Sequence, residues 1–236
     1  MMGRTIHRIV RELSGSEDPY RGAKQSFNAQ AMELFPELQR MIRESSAPLE
    51  TAVNLAVAGN MLDFAVNSHL SPGDIRQTVE TAASQAVSPE VFEDFIRAVQ
   101  AADDILYLGD NAGEIVFDRL LIEQLPREKI TFVVRGAPVI NDVTVEDARS
   151  VGLTELLDVI DNGADIPGTM LSESPEWFRQ RFDAADLVIS KGQGNYETLS
   201  DTQKNIFFIF KVKCATVAGH MNCPIGHSIL ARSSNQ

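Results

Sequence analysis

Residues 105–125 read ILYLGDNAGEIVFDRLLIEQL. An apolar run from Ile105 to Leu108 stops at Gly109-Asp110-Asn111, and a helical pattern starts at once. Phe117, Leu120, Leu121 and Leu125 share one helical face, while Asp118, Glu123 and Gln124 lie elsewhere. The pattern predicts a buried strand turning sharply into a helix. An acid and an amide at such a junction either cap the helix or hold something.

The same grammar repeats downstream. Strands are expected at ILYLG, ITFVVRG, LLDVID, DLVISKG and KCATVA, with helices at EIVFDRLLIEQL, VTVEDARSVG and SPEWFRQRFDAA. Unbroken apolar strands alternating with helices imply a mostly parallel sheet covered on both faces. The residues before about Asp103 read instead as helices. DPYRGAKQSFNAQAMELFPELQRMI has apolar residues at helical spacing, with Pro36 as an expected interruption. APLETAVNLAVAGNMLDFAV is apolar on most of its surface, and Ser71-Pro72 and Ser88-Pro89 announce two more helices through a serine N-cap and a proline at the first turn. The expected architecture is a helical N-terminal subdomain, 1–102, packed on a three-layer α/β/α domain, 103–236, with a mostly parallel, Rossmann-like sheet.

The chain has 236 residues, 44% of them hydrophobic and 23% charged, an ordinary globular composition. A net charge of -12 argues against nucleic acid and anionic membranes as partners. The run Ile206–Phe210 is too short to span a bilayer, and the first residues lack the apolar core of a signal peptide. Cys214 and Cys223 match no zinc or redox spacing. These features point to the cytoplasm and leave the oligomeric state open.

In open α/β sheets ligands lie beyond the carboxyl ends of the strands. There this chain places Asp110-Asn111, then Asn141-Asp142, Asp161-Asn162-Gly163, and Ser190-Lys191-Gly192-Gln193-Gly194-Asn195. Asp and Asn also favour turns and caps, so for each residue alone the two readings stand level. Together Asp110, Asn111 and Asp142 form a hard-oxygen set suited to Mg²⁺ or Mn²⁺. Lys191, read as part of a glycine-flanked loop, would meet an anionic substrate, and the helix N-terminus after Asn111 favours phosphate. A metal, a lysine and a helix end describe a phosphoryl site. Gly113 and Gly192 would let backbone amides approach the phosphoryl group, and Glu114 would orient water or complement the helix dipole. No Walker A string occurs, GQGN is a partial dinucleotide fingerprint, and an aspartyl-phosphate route through Asp110 lacks a second Asp at Ala112.

GDNAGEIVFD, VINDVTVEDA, ISKGQGNYETL and IFFIFKVKC, with DPYRGAK, Asn28 and AVAGNMLDFAV, resemble the metal-dependent damage-control phosphatase family, also known as domain of unknown function 89. The resemblance runs from about Asp18 to about Cys214. It implies a divalent metal on Asp110, Asn111 and Asp142, with Co²⁺ and Ni²⁺ as alternatives to Mn²⁺ or Mg²⁺. It also implies hydrolysis of phosphate esters of small metabolites, such as sugar phosphates or damaged phosphometabolites. On its strength Asn60 and Asp63, three apart in GNMLD, are expected to line the site with Asn141; a buried polar pair or a close helix crossing at Gly59 is the other reading. Relatives of this type begin with a Cys-x-x-Cys segment, whereas this chain begins at HRIVREL, so no role of those cysteines carries over. Two rivals stand beside hydrolysis: an S-adenosylmethionine-dependent carboxyl methyltransferase and a non-catalytic phosphometabolite-binding module. His69, His220 and His227 show no ligand spacing, and Lys213 is either a second phosphate contact or a solvated strand end.

Overall fold

A computed structural model describes residues 2–61, 73, 77 and 88–233. Asp63, His69 and the Ser71-Pro72 helix start lie outside the described residues. The chain opens with helices α1 (Met2–Ser14), α2 (Arg21–Glu44), α3 (Pro48–Met61) and α4 (Pro89–Ala101). Strand β1 (Ile105–Leu108) then leads into α5 (Glu114–Ile122) and β2 (Ile130–Val134) into α6 (Val145–Ser150). β3 (Asp158–Asp161) precedes α7 (Glu176–Ala184), β4 (Leu187–Lys191) α8 (Gln193–Leu199), and β5 (Ile206–Lys211) α9 (Ala215–Met221). β6 (Ser228–Arg232) ends the described chain.

Among the described residues the strands form one sheet in the order β3-β2-β1-β4-β5-β6, parallel except for β6. The neighbours of β1 are β2 on one side and β4 on the other, so the chain reverses its direction of growth at β1. That reversal makes the carboxyl ends of β1 and β4 the topological switch point, where α/β sheets bind ligands.

Alternation along each strand divides the core between the two faces. Ile105, Tyr107, Leu187, Ile189, Phe207 and Ile209 pack with residues of α2, α3, α4 and α5 in one hydrophobic cluster. Leu106, Leu108, Val188, Phe208 and Phe210 pack on the other face with Phe178 and Phe182 of α7, Leu199 of α8 and Val217 of α9. This is the expected three-layer arrangement, and the first cluster runs without a break from the helical half into the sheet.

Several local expectations need correction. KCATVA is not a strand: β5 lies one segment earlier, and Ala215–Met221 is helical, burying only Val217. Pro36 does not interrupt α2, which runs through it with the proline on its exposed side. The GQGN stretch is the start of α8 and not a loop. Ser88 caps α4 as expected, accepting from the Val91 amide at 3.2 Å, whereas Ser174 turns back to the Met170 carbonyl and does not cap α7.

Candidate active site

Asp110 and Asn111 leave β1 at the switch point, and Asp142 reaches it from the β2–α6 loop. Their backbones are pinned together by an isolated bridge between Asn111 and Asp142. In it the Ala112 amide donates to the Asn141 carbonyl at 2.8 Å and the Val143 amide to the Asp110 carbonyl at 2.9 Å. Asn141 thus joins the two loops through its main chain. The bridge sets where both carboxylates can point.

The Asn111 amide group is oriented from within. Its Nδ2 donates to Asp110 Oδ2 at 2.7 Å and to Glu114 Oε2 at 3.3 Å, which turns Oδ1 away from both carboxylates. Asn60 adds a second inward brace, donating to Glu114 Oε2 at 2.8 Å and Asp110 Oδ2 at 3.4 Å while its Oδ1 accepts from the Lys211 amide. It reaches that far because Gly59 lets α3 lie against α5: a Cβ there would stand 2.7 Å from Phe117 Cβ. Both sequence readings of this segment therefore meet in one place, the polar one at Asn60 and the close crossing at Gly59.

Lys191 is not on a loop. It ends β4 with the parity of Leu187 and Ile189, so it points into the layer beneath α3 and α5 and is 0% exposed. Its Nζ donates to Glu114 Oε1 at 2.6 Å, Asp118 Oδ1 at 2.5 Å and the Ala56 carbonyl at 3.1 Å. All three ammonium hydrogens have a partner. Burial alone would lower its pKa, but Asp118 and Glu114 outweigh it and raise it. Asp118 also accepts from the Tyr107 hydroxyl at 2.9 Å. Burial pushes the Asp118 carboxyl up to about 6 against the pull of Lys191.

The glycines do other work than expected. The Gly113 N–H donates to Asn28 Oδ1 and the Gly192 N–H to the Ile209 carbonyl, so neither is offered to a ligand. Gly192 matters for its missing side chain: at φ +82° a Cβ would fall 1.9 Å from Asp110 Oδ2.

Arg135, which sequence reasoning missed, is the cation at the centre. It is 1% exposed; Nε donates to Asp142 Oδ2 at 2.6 Å, and the other nitrogens donate to Thr169 Oγ1 at 3.3 Å and Asn195 Oδ1 at 3.4 Å. Its guanidinium also stands 3.8 Å from Asp110 Oδ1. A charged residue closing the apolar run ITFVV was the available signal, since an arginine there is buried and must be paired.

Among the described residues negative charge exceeds positive here: Asp110, Asp142, Glu114 and Asp118 face Arg135 and Lys191 as buried cations. Burial, then Glu114 and Asp142, push the Asp110 carboxyl up to about 8, against Arg135 and Lys213. Asp142 is likewise raised, by burial first, with Arg135 opposing. Lys213 is exposed in the loop after β5, on the same edge of the sheet, and its charge reaches Asp110. Among the described residues no cluster of three or more His, Cys, Asp or Glu has metal-binding geometry. The set here is two carboxylates and an amide oxygen. Hard donors in a pocket short of positive charge fit a divalent cation of the Mg²⁺ or Mn²⁺ kind.

Comparison with known proteins follows the same lines. The damage-control phosphatase ARMT1-like domain matches residues 1–229. The chain is 35% identical to a damage-control phosphatase of Archaeoglobus fulgidus, over 95% of this chain and 79% of that protein. It is 34% identical to one of Pyrococcus horikoshii, over 98% of this chain and 80% of that protein. The crystal structure of a DUF89 family protein from Pyrococcus horikoshii superposes with a TM-score of 0.85 at 33% identity, covering 98% of this chain and 81% of that one.

Proposed function

This chain belongs to the damage-control phosphatase family with the ARMT1-like domain, and from that premise we propose that its phosphatase chemistry takes place at Asp110, Asn111 and Asp142. The chain is a phosphatase, and its substrates are phosphate esters of small metabolites, damaged ones among them. The observation that carries the site assignment is the pinned pair of loops at the carboxyl ends of β1 and β4: it brings the Asp110 and Asp142 carboxylates and the Asn111 side chain together at one strand edge.

A divalent cation held by Asp110, Asn111 and Asp142 would polarise the phosphoryl oxygens and activate water for in-line attack; Mn²⁺ or Mg²⁺ suits the donors, with Co²⁺ and Ni²⁺ as alternatives. The protein's own groups do the rest. Arg135 holds Asp142 through Nε, and the Gly168 backbone also hydrogen-bonds that carboxylate. Lys213, the exposed cation on this edge, would meet the charge on the phosphoryl group. Lys191 acts through Glu114, fixing the carboxylate that orients Asn111, and does not touch substrate. Asn60 does the same from α3. Hydrolysis is favoured over methyl transfer because this edge offers carboxylates suited to a cation where a methyl donor needs a glycine-rich cradle.

Asp110→Asn tests the assignment. The two residues are comparable N-caps, so a mere cap would survive the change. As a ligand, the variant should fold, lose phosphate release by orders of magnitude, and no longer gain thermal stability from Mn²⁺, while the wild type does. Equal Mn²⁺ shifts in both proteins would remove Asp110 from the site.

A further inference from the structure

Two buried polar groups of α2 have no part in the chemistry above. Lys24 and Asn28, four residues apart on one face of α2, are 2% and 3% exposed. Asn28 Oδ1 accepts from the Gly113 amide at 2.7 Å, and its Nδ2 donates to Asp147 Oδ1 at 3.2 Å and Ser150 Oγ at 3.3 Å. Lys24 Nζ bridges Asp147 Oδ2 and Asp18 Oδ2, each at 2.9 Å. Asp147 Oδ2 in turn accepts from the Thr144 amide at 2.8 Å and hydroxyl at 2.7 Å, closing the capping box of α6.

Gly113 closes the loop that begins at Asp110, and Asp147 anchors the helix that follows Asp142. One side chain therefore ties the loop that carries Asp110 and Asn111 to the first turn of the helix that follows Asp142, at a point separate from the Asn111–Asp142 bridge. With the bridge alone the loops could pivot about it; with Asn28 they are held at two points. The task demands an amide, which must accept from one loop and donate to the other. A carboxylate would repel Asp147, and an apolar residue would leave the Gly113 N–H buried without a partner.

We propose that Asn28 is a positioning residue for the cation site, setting the separation of Asp110–Asn111 from Asp142 without touching cation or substrate. The proposal rests on the cation assignment above. Outer groups that orient ligands typically govern metal affinity by roughly 10- to 100-fold.

The test is Mn²⁺ binding, read from the electron paramagnetic resonance signal of the free ion, with melting curves to show that each variant is folded. Asn28→Ala and Asn28→Asp should weaken Mn²⁺ binding by roughly 10- to 100-fold. The exchange Asn28→Asp with Asp147→Asn recreates an acceptor for Gly113 and a donor between the two side chains, and it should return affinity to near the wild-type value. Ser88→Ala, which removes the distant cap of α4, should lower stability and leave Mn²⁺ affinity unchanged. Wild-type affinity in a folded Asn28→Ala protein would overturn the proposal. If that variant does not fold, the exchange pair decides: a double variant that binds no better than Asn28→Asp overturns it equally. A wild-type protein that takes up no Mn²⁺ would defeat the cation assignment itself, and this proposal with it.

Discussion

Gly192 leaves Asp110 almost no room. A methyl group at its Cα would stand inside the carboxylate, and a non-glycine residue at φ +82°, ψ 153° adds backbone strain of about 1–3 kcal/mol. Gly192→Ala should therefore cut phosphate release by roughly 100-fold through displacement of Asp110, with a modest drop in the urea midpoint. Full activity in that variant would mean that Asp110 is not held where the reaction needs it. Lys191 carries a different expectation. Lys191→Met removes the one cation between Glu114 and Asp118 and leaves both carboxylates buried, which should cost about 3–5 kcal/mol of stability in denaturant titrations. A variant of unchanged stability but lower turnover would instead return Lys191 to direct contact with substrate.

Helix α2 is the element that joins the helical half to the sheet. Its apolar residues Ala31, Leu34, Leu38 and Ile42 enter the shared core, and its first turns carry Lys24 to Asp147 across 123 residues of chain. Burial tends to lower the Lys24 pKa, but Asp147 and Asp18 reverse this and raise it above 10.5. A lysine whose pKa is raised on folding contributes stability that is fully present below its unfolded pKa and fades as pH climbs through the folded one. Lys24→Met should thus destabilise by about 3 kcal/mol throughout the neutral range, with the gap to wild type closing only in strong alkali. A gap that closed on mild alkalinisation would show that the triad is not the source. α4 is simpler: Ser88→Ala should cost about 1 kcal/mol, as for other serine caps.

The assembled molecule brings buried acid groups from two segments together at one strand edge, which is why burial and mutual repulsion raise the Asp110 carboxyl. Exhaustive chelation should abolish phosphate release, and Mn²⁺ or Mg²⁺ should restore it; full turnover after chelation would end the cation mechanism. Growth of the sheet reverses at β1, so the connections after β1 and β4 part on either side of the edge where Asp110 lies. Among the described residues no helix is long and apolar enough to cross a membrane.

Local chemistry in the chain was enough for the layers and for the edge that carries the candidate site. An apolar run such as Ile105–Leu108, ending in Gly, Asp and Asn, marks a parallel strand and the end where ligands are expected without any knowledge of partners. It was not enough for a segment as short as Ala215–Met221, where seven residues cannot separate a helical period from an extended one. Nor could it give the direction of Lys191, which depends on whether β4 ends before or after that residue and on partners 73 and 77 residues away. Arg135 with Asp142 and Asn28 with Gly113 belong to the same class. A buried charge or amide takes its role from what it is paired with, and pairing across distant segments exists only once the chain has packed.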